Sequence, residues 1–184
     1  MNRAIFIDKD GTLIRDVAYN VDPQHIQLLD GVIEGLKRLK AEGYLTIIIS
    51  NQSGVAYGYF RELALNAVVD RIRELLGIEG LTLDGFYYCP HHPSGKIEQY
   101  AVHCDCRKPK PGMLLQAAAD LDIDLSASWM IGDILDDVEA GKMAGCKTIL
   151  INNGNETDWI RNSNRKPDFI VNNMVDAAGH ILNL

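Results

Sequence analysis

The sequence predicts an α/β fold of Rossmann-like, three-layer type, with a parallel sheet between two layers of helices. Three observations carry this reading. Short apolar runs alternate with amphipathic helical patterns along the chain, which is the mark of βαβ units and their right-handed crossovers. The run Ile47-Ile48-Ile49 is apolar on both faces, as in a parallel strand covered on both sides. Polar and acidic residues follow the apolar runs directly, and a doubly wound sheet gathers its functional groups at the carboxyl ends of its strands.

The elements follow in order. Arg3–Asp8 is a first strand built on Ala4-Ile5-Phe6-Ile7. A helix spans 31–42, with Val32, Ile33, Leu36 and Leu39 on one stripe and Gly43 as its stop. A strand covers 44–50. A helix is expected over 60–76, where Ala64, Ala67, Val68, Ile72 and Leu75 recur at helical spacing. Gly85–Cys89 is a short strand, and the helix 111–121 carries a proline in its first turn. Trp129–Gly132 is a strand, and Leu135–Ala144 is a helix closed by Gly145. Lys147–Ile151 and 168–171 are strands, and Met174–Leu182 is the final helix. Two stretches fit no regular element: the polar segment 92–110, and the Asn-, Gly- and Arg-rich segment 152–167, which reads as an exposed loop. No linker or composition shift marks a boundary, so the 184 residues read as a single domain, 1–184.

Composition narrows the function. The chain carries 25 acidic against 18 basic residues, a net charge of -7, which argues against a nucleic-acid-binding module. No run approaches the ~20 apolar residues of a membrane span. The first residues read as a buried strand rather than a signal peptide, so a cytoplasmic protein without membrane partners is expected. The charge and the lack of a spare apolar stripe permit a monomer.

The strand ends carry the candidate chemistry. Strand one runs into Asp8-Lys9-Asp10-Gly11-Thr12, and strand two into Ser50-Asn51-Gln52-Ser53-Gly54. Arg107-Lys108-Pro109 precedes a helix, and a later strand ends in Gly132-Asp133. Gly11 turns the chain at once, so Asp8 and Asp10 can share one mouth. Two close carboxylates repel unless a cation joins them, and Mg²⁺ prefers such oxygen ligands, with Asp133 as a third. The pair suits a carboxylate nucleophile with a second carboxyl as acid and base; an Asp-rich turn is the competing reading. The Ser50 hydroxyl, the turn behind it and Lys108 can hold phosphate oxygens.

The cysteines form a second constellation. Cys89-Pro90-His91-His92 and Cys104-Asp105-Cys106 give two close pairs of donors, the pattern of a closed, structural Zn²⁺ site stapling the loop at about 89–108. Spacing leaves His91 and His92 both open as the ligand, and free thiols at Cys104 and Cys106 compete. Cys146 stands apart as a small buried hydrophobe.

Taken together, Asp8-Lys9-Asp10-Gly11-Thr12, Ser50, Lys108 and Gly132-Asp133 resemble the haloacid dehalogenase superfamily of phosphohydrolases. The zinc loop and Cys104-Asp105-Cys106-Arg107-Lys108-Pro109-Lys110-Pro111-Gly112-Met113 narrow the resemblance to its heptose bisphosphate phosphatase and histidinol-phosphatase family, over about residues 4 to 152. The resemblance implies a haloacid dehalogenase-like fold that is essentially capless. It implies Asp8 as nucleophile and Asp10 as general acid/base. It places Mg²⁺ on Asp8, Asp133 and the backbone carbonyl of Asp10, and Zn²⁺ on Cys89, His91, Cys104 and Cys106. Substrate contacts fall on Asp16, Tyr19, Ser50, Asn51, Gln52, Ser53, Arg107 and Lys108. The implied reaction removes the C7 phosphate of a small phosphorylated sugar, heptose 1,7-bisphosphate, in the synthesis of activated heptose for lipopolysaccharide or surface polysaccharide; histidinol-phosphate hydrolysis is the alternative. The chain departs from the family's pattern where basic residues are common: Ile134 follows Gly132-Asp133, and Tyr57 and Tyr59 replace a basic pair. Lys9 stands where the family commonly has Arg. A shifted substrate preference is one reading of these changes, and tolerated surface swaps are the other.

Overall fold

The computed structural model describes residues 1–160 and 162–183. Its centre is one six-stranded parallel sheet: β1 (Arg3–Asp8), β2 (Tyr44–Asn51), β3 (Gly85–Cys89), β4 (Trp129–Gly132), β5 (Lys147–Ile151) and β6 (Phe169–Val171), in the order β3-β2-β1-β4-β5-β6. Side chains alternate across the strands, so each strand feeds two cores. Ile5, Ile7, Ile48, Ile131 and Ile149 point to one face. There they meet α1 (Val32–Ala41), α3 (Leu65–Ile78) and α6 (Met174–Leu182) through Leu36, Ile72 and Ala177. Ala4, Phe6, Ile47, Ile49 and Met130 point to the other face, against Met113 and Leu114 of α4 (Gly112–Leu121) and Ala140 of α5 (Leu135–Ala144). This double burial is why Ile47-Ile48-Ile49 reads as apolar throughout. Among the described residues, no helix is long and apolar enough to cross a membrane.

The expected helix over 60–76 is corrected. The chain after β2 first makes a single turn, α2 (Gly54–Tyr57), ended by Gly58 in the left-handed region, and then a 3-10 turn at Glu62–Ala64 before α3 begins at Leu65. Phe60 looks like the first apolar residue of the helical stripe, but its ring fills the space beside the bare Cα of Gly54. The segment 92–110 contains one short 3-10 turn, Glu98–Tyr100. Pro111 is the residue before α4 rather than its first turn.

The strand order reverses at β1, where β2 and β4 flank it and their crossovers run to opposite sides. Ile7 is paired with Ile131, so Asp8 and the Gly132-Asp133 turn leave the sheet side by side. On the other flank Asp8 pairs with Ile49, one residue before Ser50. Such a switch point is where an open α/β sheet forms its crevice.

Two helical glycines differ in surroundings. A Cβ on Gly35 of α1 would lie 2.7 Å from the backbone carbonyl oxygen of Met174, where α1 packs on α6. Gly77 of α3 faces open space. Gly77→Ala is expected to raise the unfolding free energy by about 0.5–1 kcal/mol, as helix propensity dictates. Gly35→Ala is expected to lower it by about 1–3 kcal/mol through overpacking. Urea titrations of both variants check this, and equal gains would contradict the close α1–α6 contact.

Candidate active site

Lys108 is the centre of the site. It is 3% exposed, and its ammonium donates to Asp8 Oδ1 at 2.5 Å, to Asp137 Oδ1 at 2.6 Å and to the Ile49 carbonyl at 3.1 Å. Burial alone would lower its pKa, but the Asp137 and Asp8 carboxylates outweigh burial and hold the ammonium charged. Its backbone is fixed by Asn51, whose side chain accepts from Lys108 N at 3.0 Å and donates to Lys108 O at 3.1 Å. Asn51 therefore spends its amide on placing Lys108.

Asp8, Asp133 and Asp137 are all buried, and one oxygen of each lies within 4.8 Å of the others. Burial pushes the Asp8 carboxyl up to about 7, against the pull of Lys108 and with Asp137 and Asp10 adding to the rise. Burial, and then the charge of Asp8, raises Asp133 to about 6, opposed by the amides of Asn155 and Asn153. Three buried carboxylates thus face one ammonium, an imbalance that a hard divalent cation relieves. Asp137 gives its other oxygen to the Ile134 N–H at 3.3 Å, which leaves Asp8 and Asp133 as the side chains that fit a Mg²⁺ ion. The Asp10 carboxylate lies outside this group. It accepts from Lys9 Nζ at 2.6 Å and, at 3.4 Å, from Gln52 Nε2, which also donates to Ser50 Oγ at 2.7 Å.

Sequence reasoning missed three of these partners. Asp137 hides among the acidic residues of α5, although its place in the first turn is a capping signal. Asn153 and Asn155 belong to the stretch 152–167. Asn153 donates to the Gly11 carbonyl at 2.7 Å, and Asn155 donates to Asp133 Oδ2 at 2.6 Å. A Cβ on Gly11 would lie 2.2 Å from Asp133 and 2.5 Å from Asn155, so this turn takes only glycine there. The loop also sends Glu156 to the Leu135 N–H and Arg165 to Asp136 and Glu139 of α5. It flanks the mouth rather than merely linking two strands.

Beyond Asp10 opens a hollow of about 250 Å³ lined by Asp10, Asp16, Tyr19, Gln52 and Ser53. Asp16 and Tyr19 are exposed at its rim. Lys9 is buried, and Ile134 is half-buried at the start of α5. Arg107 is half-buried and donates to the His91 carbonyl at 3.4 Å.

Cys89, His91, Cys104 and Cys106 meet at one point. The three Sγ atoms lie 3.1–3.5 Å apart, and His91 Nδ1 is 3.3 Å from Cys106 and 3.7 Å from Cys89. Four such donors at this mutual distance fit a closed tetrahedral zinc ion. His92 turns away, with its ring nitrogens 3.0 and 3.2 Å from the Tyr57 hydroxyl. Cys146 is buried, and burial pushes its thiol up to about 12, which leaves it inert.

This sheet order, with an acidic switch point and a buried lysine, defines a phosphohydrolase-type α/β site. The comparisons agree. The family model described as HAD-hydrolase-like matches residues 105–177. A relative from Pasteurella multocida (strain Pm70), named D-glycero-beta-D-manno-heptose-1,7-bisphosphate 7-phosphatase, is 50% identical over 84% of each chain. One of the same name from Escherichia coli (strain K12) is 41% identical over 87% of this chain and 88% of its own. The crystal structure of D,D-heptose 1,7-bisphosphate phosphatase from B. bronchiseptica, complexed with magnesium and phosphate, superposes with a TM-score of 0.83 at 29% identity, covering 98% of both chains. The chain belongs to the haloacid dehalogenase superfamily and, within it, to the family of heptose bisphosphate phosphatases.

The raised carboxyls fix a pH dependence. Asp8 and Asp133 bind protons more tightly in the folded chain than at their ordinary 3.8. Their contribution favours folding below that value and is lost as the pH rises through about 6 and 7. In Mg²⁺-free buffer the zinc-loaded protein is expected to lose stability across this window. Added Mg²⁺ then raises the melting midpoint more on its alkaline side than on its acid side, because protons compete for the same carboxylates. A thermal-shift series checks this, and a Mg²⁺ effect independent of pH would contradict it.

Proposed function

We propose that this protein is a Mg²⁺-dependent phosphatase that removes the C7 phosphate of D-glycero-D-manno-heptose 1,7-bisphosphate through an aspartyl-phosphate on Asp8. The observation that carries the reading is the division of labour between two carboxylates at one strand end. Asp8 is buried against Lys108, and Asp10 stands apart at the wall of the open hollow. The names of the relatives supply the sugar and favour it over histidinol phosphate.

The residues divide the work as follows. An oxygen of Asp8 attacks phosphorus in line, and the bond from phosphorus to the sugar oxygen breaks. Asp10 gives that oxygen its proton, then takes a proton from the water that attacks phospho-Asp8 and frees inorganic phosphate. Lys108 and the Ser50 hydroxyl offset the charge on the phosphoryl oxygens, the main task in phosphoryl transfer. Gln52 and Lys9 hold Asp10 in place, and Asn51 holds Lys108. Asp8, Asp133 and the Asp10 backbone carbonyl would hold a magnesium ion, which would supply the positive charge that lets an anionic phosphate approach an anionic nucleophile. Cys89, His91, Cys104 and Cys106 would hold zinc in a structural role, with Cys106 two residues before Lys108. Asp16, Tyr19, Ser53 and Arg107 meet the substrate outside the reacting phosphate. The net charge of -7 suits a cytoplasmic monomer acting on a soluble sugar phosphate.

Phosphate release from heptose 1,7-bisphosphate, histidinol phosphate and fructose 1,6-bisphosphate tests the reading. The heptose compound is expected to dominate, Asp8→Asn to be inactive, and Asp10→Asn to be slowed about 10²–10⁴-fold. Full activity in Asp8→Asn would refute the covalent route, and a dominant histidinol phosphate rate would refute the substrate.

A further inference from the structure

The segment that follows β5 turns back onto the charged site at the strand ends. Asn153 Nδ2 donates to the Gly11 carbonyl at 2.7 Å, and Asn153 Oδ1 accepts from the Asn155 N–H at 3.1 Å. The second contact closes a tight side-chain turn, so one asparagine is pinned to the Gly11 turn and fixes the start of the other. Asn155 then donates from Nδ2 to Asp133 Oδ2 at 2.6 Å. The next residue, Glu156, accepts from the N–H of Leu135, a first-turn group of α5 that has no partner within the helix. Residues 153, 155 and 156 thus tie together the Gly11 turn, Asp133 and the start of α5.

The three acidic groups at the strand ends are oriented by different means. Asp8 accepts from the Lys108 ammonium, and Asp10 accepts from the Lys9 ammonium. Asp133 accepts from the uncharged amide of Asn155. An amide fixes a carboxylate in place without cancelling its charge, so the charge stays available to a cation. The contact is also confined. A Cβ on Gly11 would lie 2.2 Å from Asp133 Oδ2 and 2.5 Å from Asn155 Nδ2, so carboxylate and amide meet against a bare Cα. Asn155 itself is exposed, although its amide reaches a buried carboxylate. Its side chain is therefore no part of the core.

We propose that Asn155, held by Asn153, is a positioning residue for the metal site: its amide fixes the orientation of the Asp133 carboxylate and so sets how tightly the chain binds Mg²⁺. The inference rests on the reading of Asp8 and Asp133 as the side chains that hold magnesium, and it adds the support behind one of them. Groups that orient a metal ligand in this way commonly govern affinity for the ion without touching it.

Two measurements test this together: calorimetric titration of magnesium chloride into the zinc-loaded chain, and phosphate release from heptose 1,7-bisphosphate followed against Mg²⁺ concentration. Asn155→Ala is expected to raise the Mg²⁺ dissociation constant about 10–100-fold. At saturating Mg²⁺ the variant regains the wild-type kcat and the wild-type KM for the sugar, and its metal-free melting midpoint stays at the wild-type value. Asn155→Ser, whose hydroxyl ends one bond short of the Asp133 carboxylate, gives the same shift. An unchanged dissociation constant in both variants overturns the proposal. So does a loss of kcat that saturating Mg²⁺ does not recover, or a fall in the metal-free melting midpoint that accompanies the weaker binding, since either marks a structural role. A wild-type chain that binds no Mg²⁺ overturns the metal reading and the inference with it; wild-type binding with unchanged variants overturns the inference alone.

Discussion

Three carboxylates and one ammonium are sealed together at the point where the sheet changes direction, and the surrounding elements are organised around that charge. Asp8 arrives on β1, Asp133 on the turn after β4, Asp137 on the first turn of α5, and Lys108 on the segment after the cysteine cluster. Buried ionic groups seldom add stability, because desolvation offsets much of their attraction. Here burial first, and the neighbouring carboxylates second, keep Asp8 and Asp133 reluctant to ionise until a cation joins them. The arrangement is thus poised for metal and phosphate rather than for the greatest stability.

The sheet was legible because its strands obey simple patterns. Ile47-Ile48-Ile49 is apolar on both faces because helices cover both sides of β2. The residues just past each apolar run were legible as a site for a topological reason: a parallel sheet brings its strand ends to one edge. The start of α3 was not legible, since Phe60 has the right spacing for a helical stripe yet serves Gly54 instead. Asp137 was equally opaque. Its partner lies 29 residues away, and nothing local separates it from Asp136, which pairs with Arg165 near the surface. Asn153 and Asn155 read as loop composition, because an asparagine's fitness for a carbonyl or a carboxylate shows only once the loop is placed. His91 and His92 are adjacent, and only the three-dimensional path sends one to sulfur and the other to the Tyr57 hydroxyl.

The buried charge cluster and the aromatic cluster sit on different segments. The groups placed on the reacting phosphate belong to strand ends and to the buried Lys108. Tyr57, Tyr59 and His92 belong to the turn after β2 and to the cysteine loop, and they touch each other rather than Asp8. The two meet through short covalent links: Lys108 lies two residues beyond Cys106, and Arg107 reaches back to the His91 carbonyl. The cysteine loop can therefore set the position of Lys108 through the chain itself.

The sheet ends on one side in β6, which contributes three residues and has only Ile170 well exposed. Pro167 precedes it, and Asp168 is already bound to the Thr148 N–H and to Lys142. An edge only three residues long offers a foreign strand few free donors and acceptors. Protection against edge-to-edge aggregation is thereby supplied by the termination of the sheet itself, and no helix has to cover it.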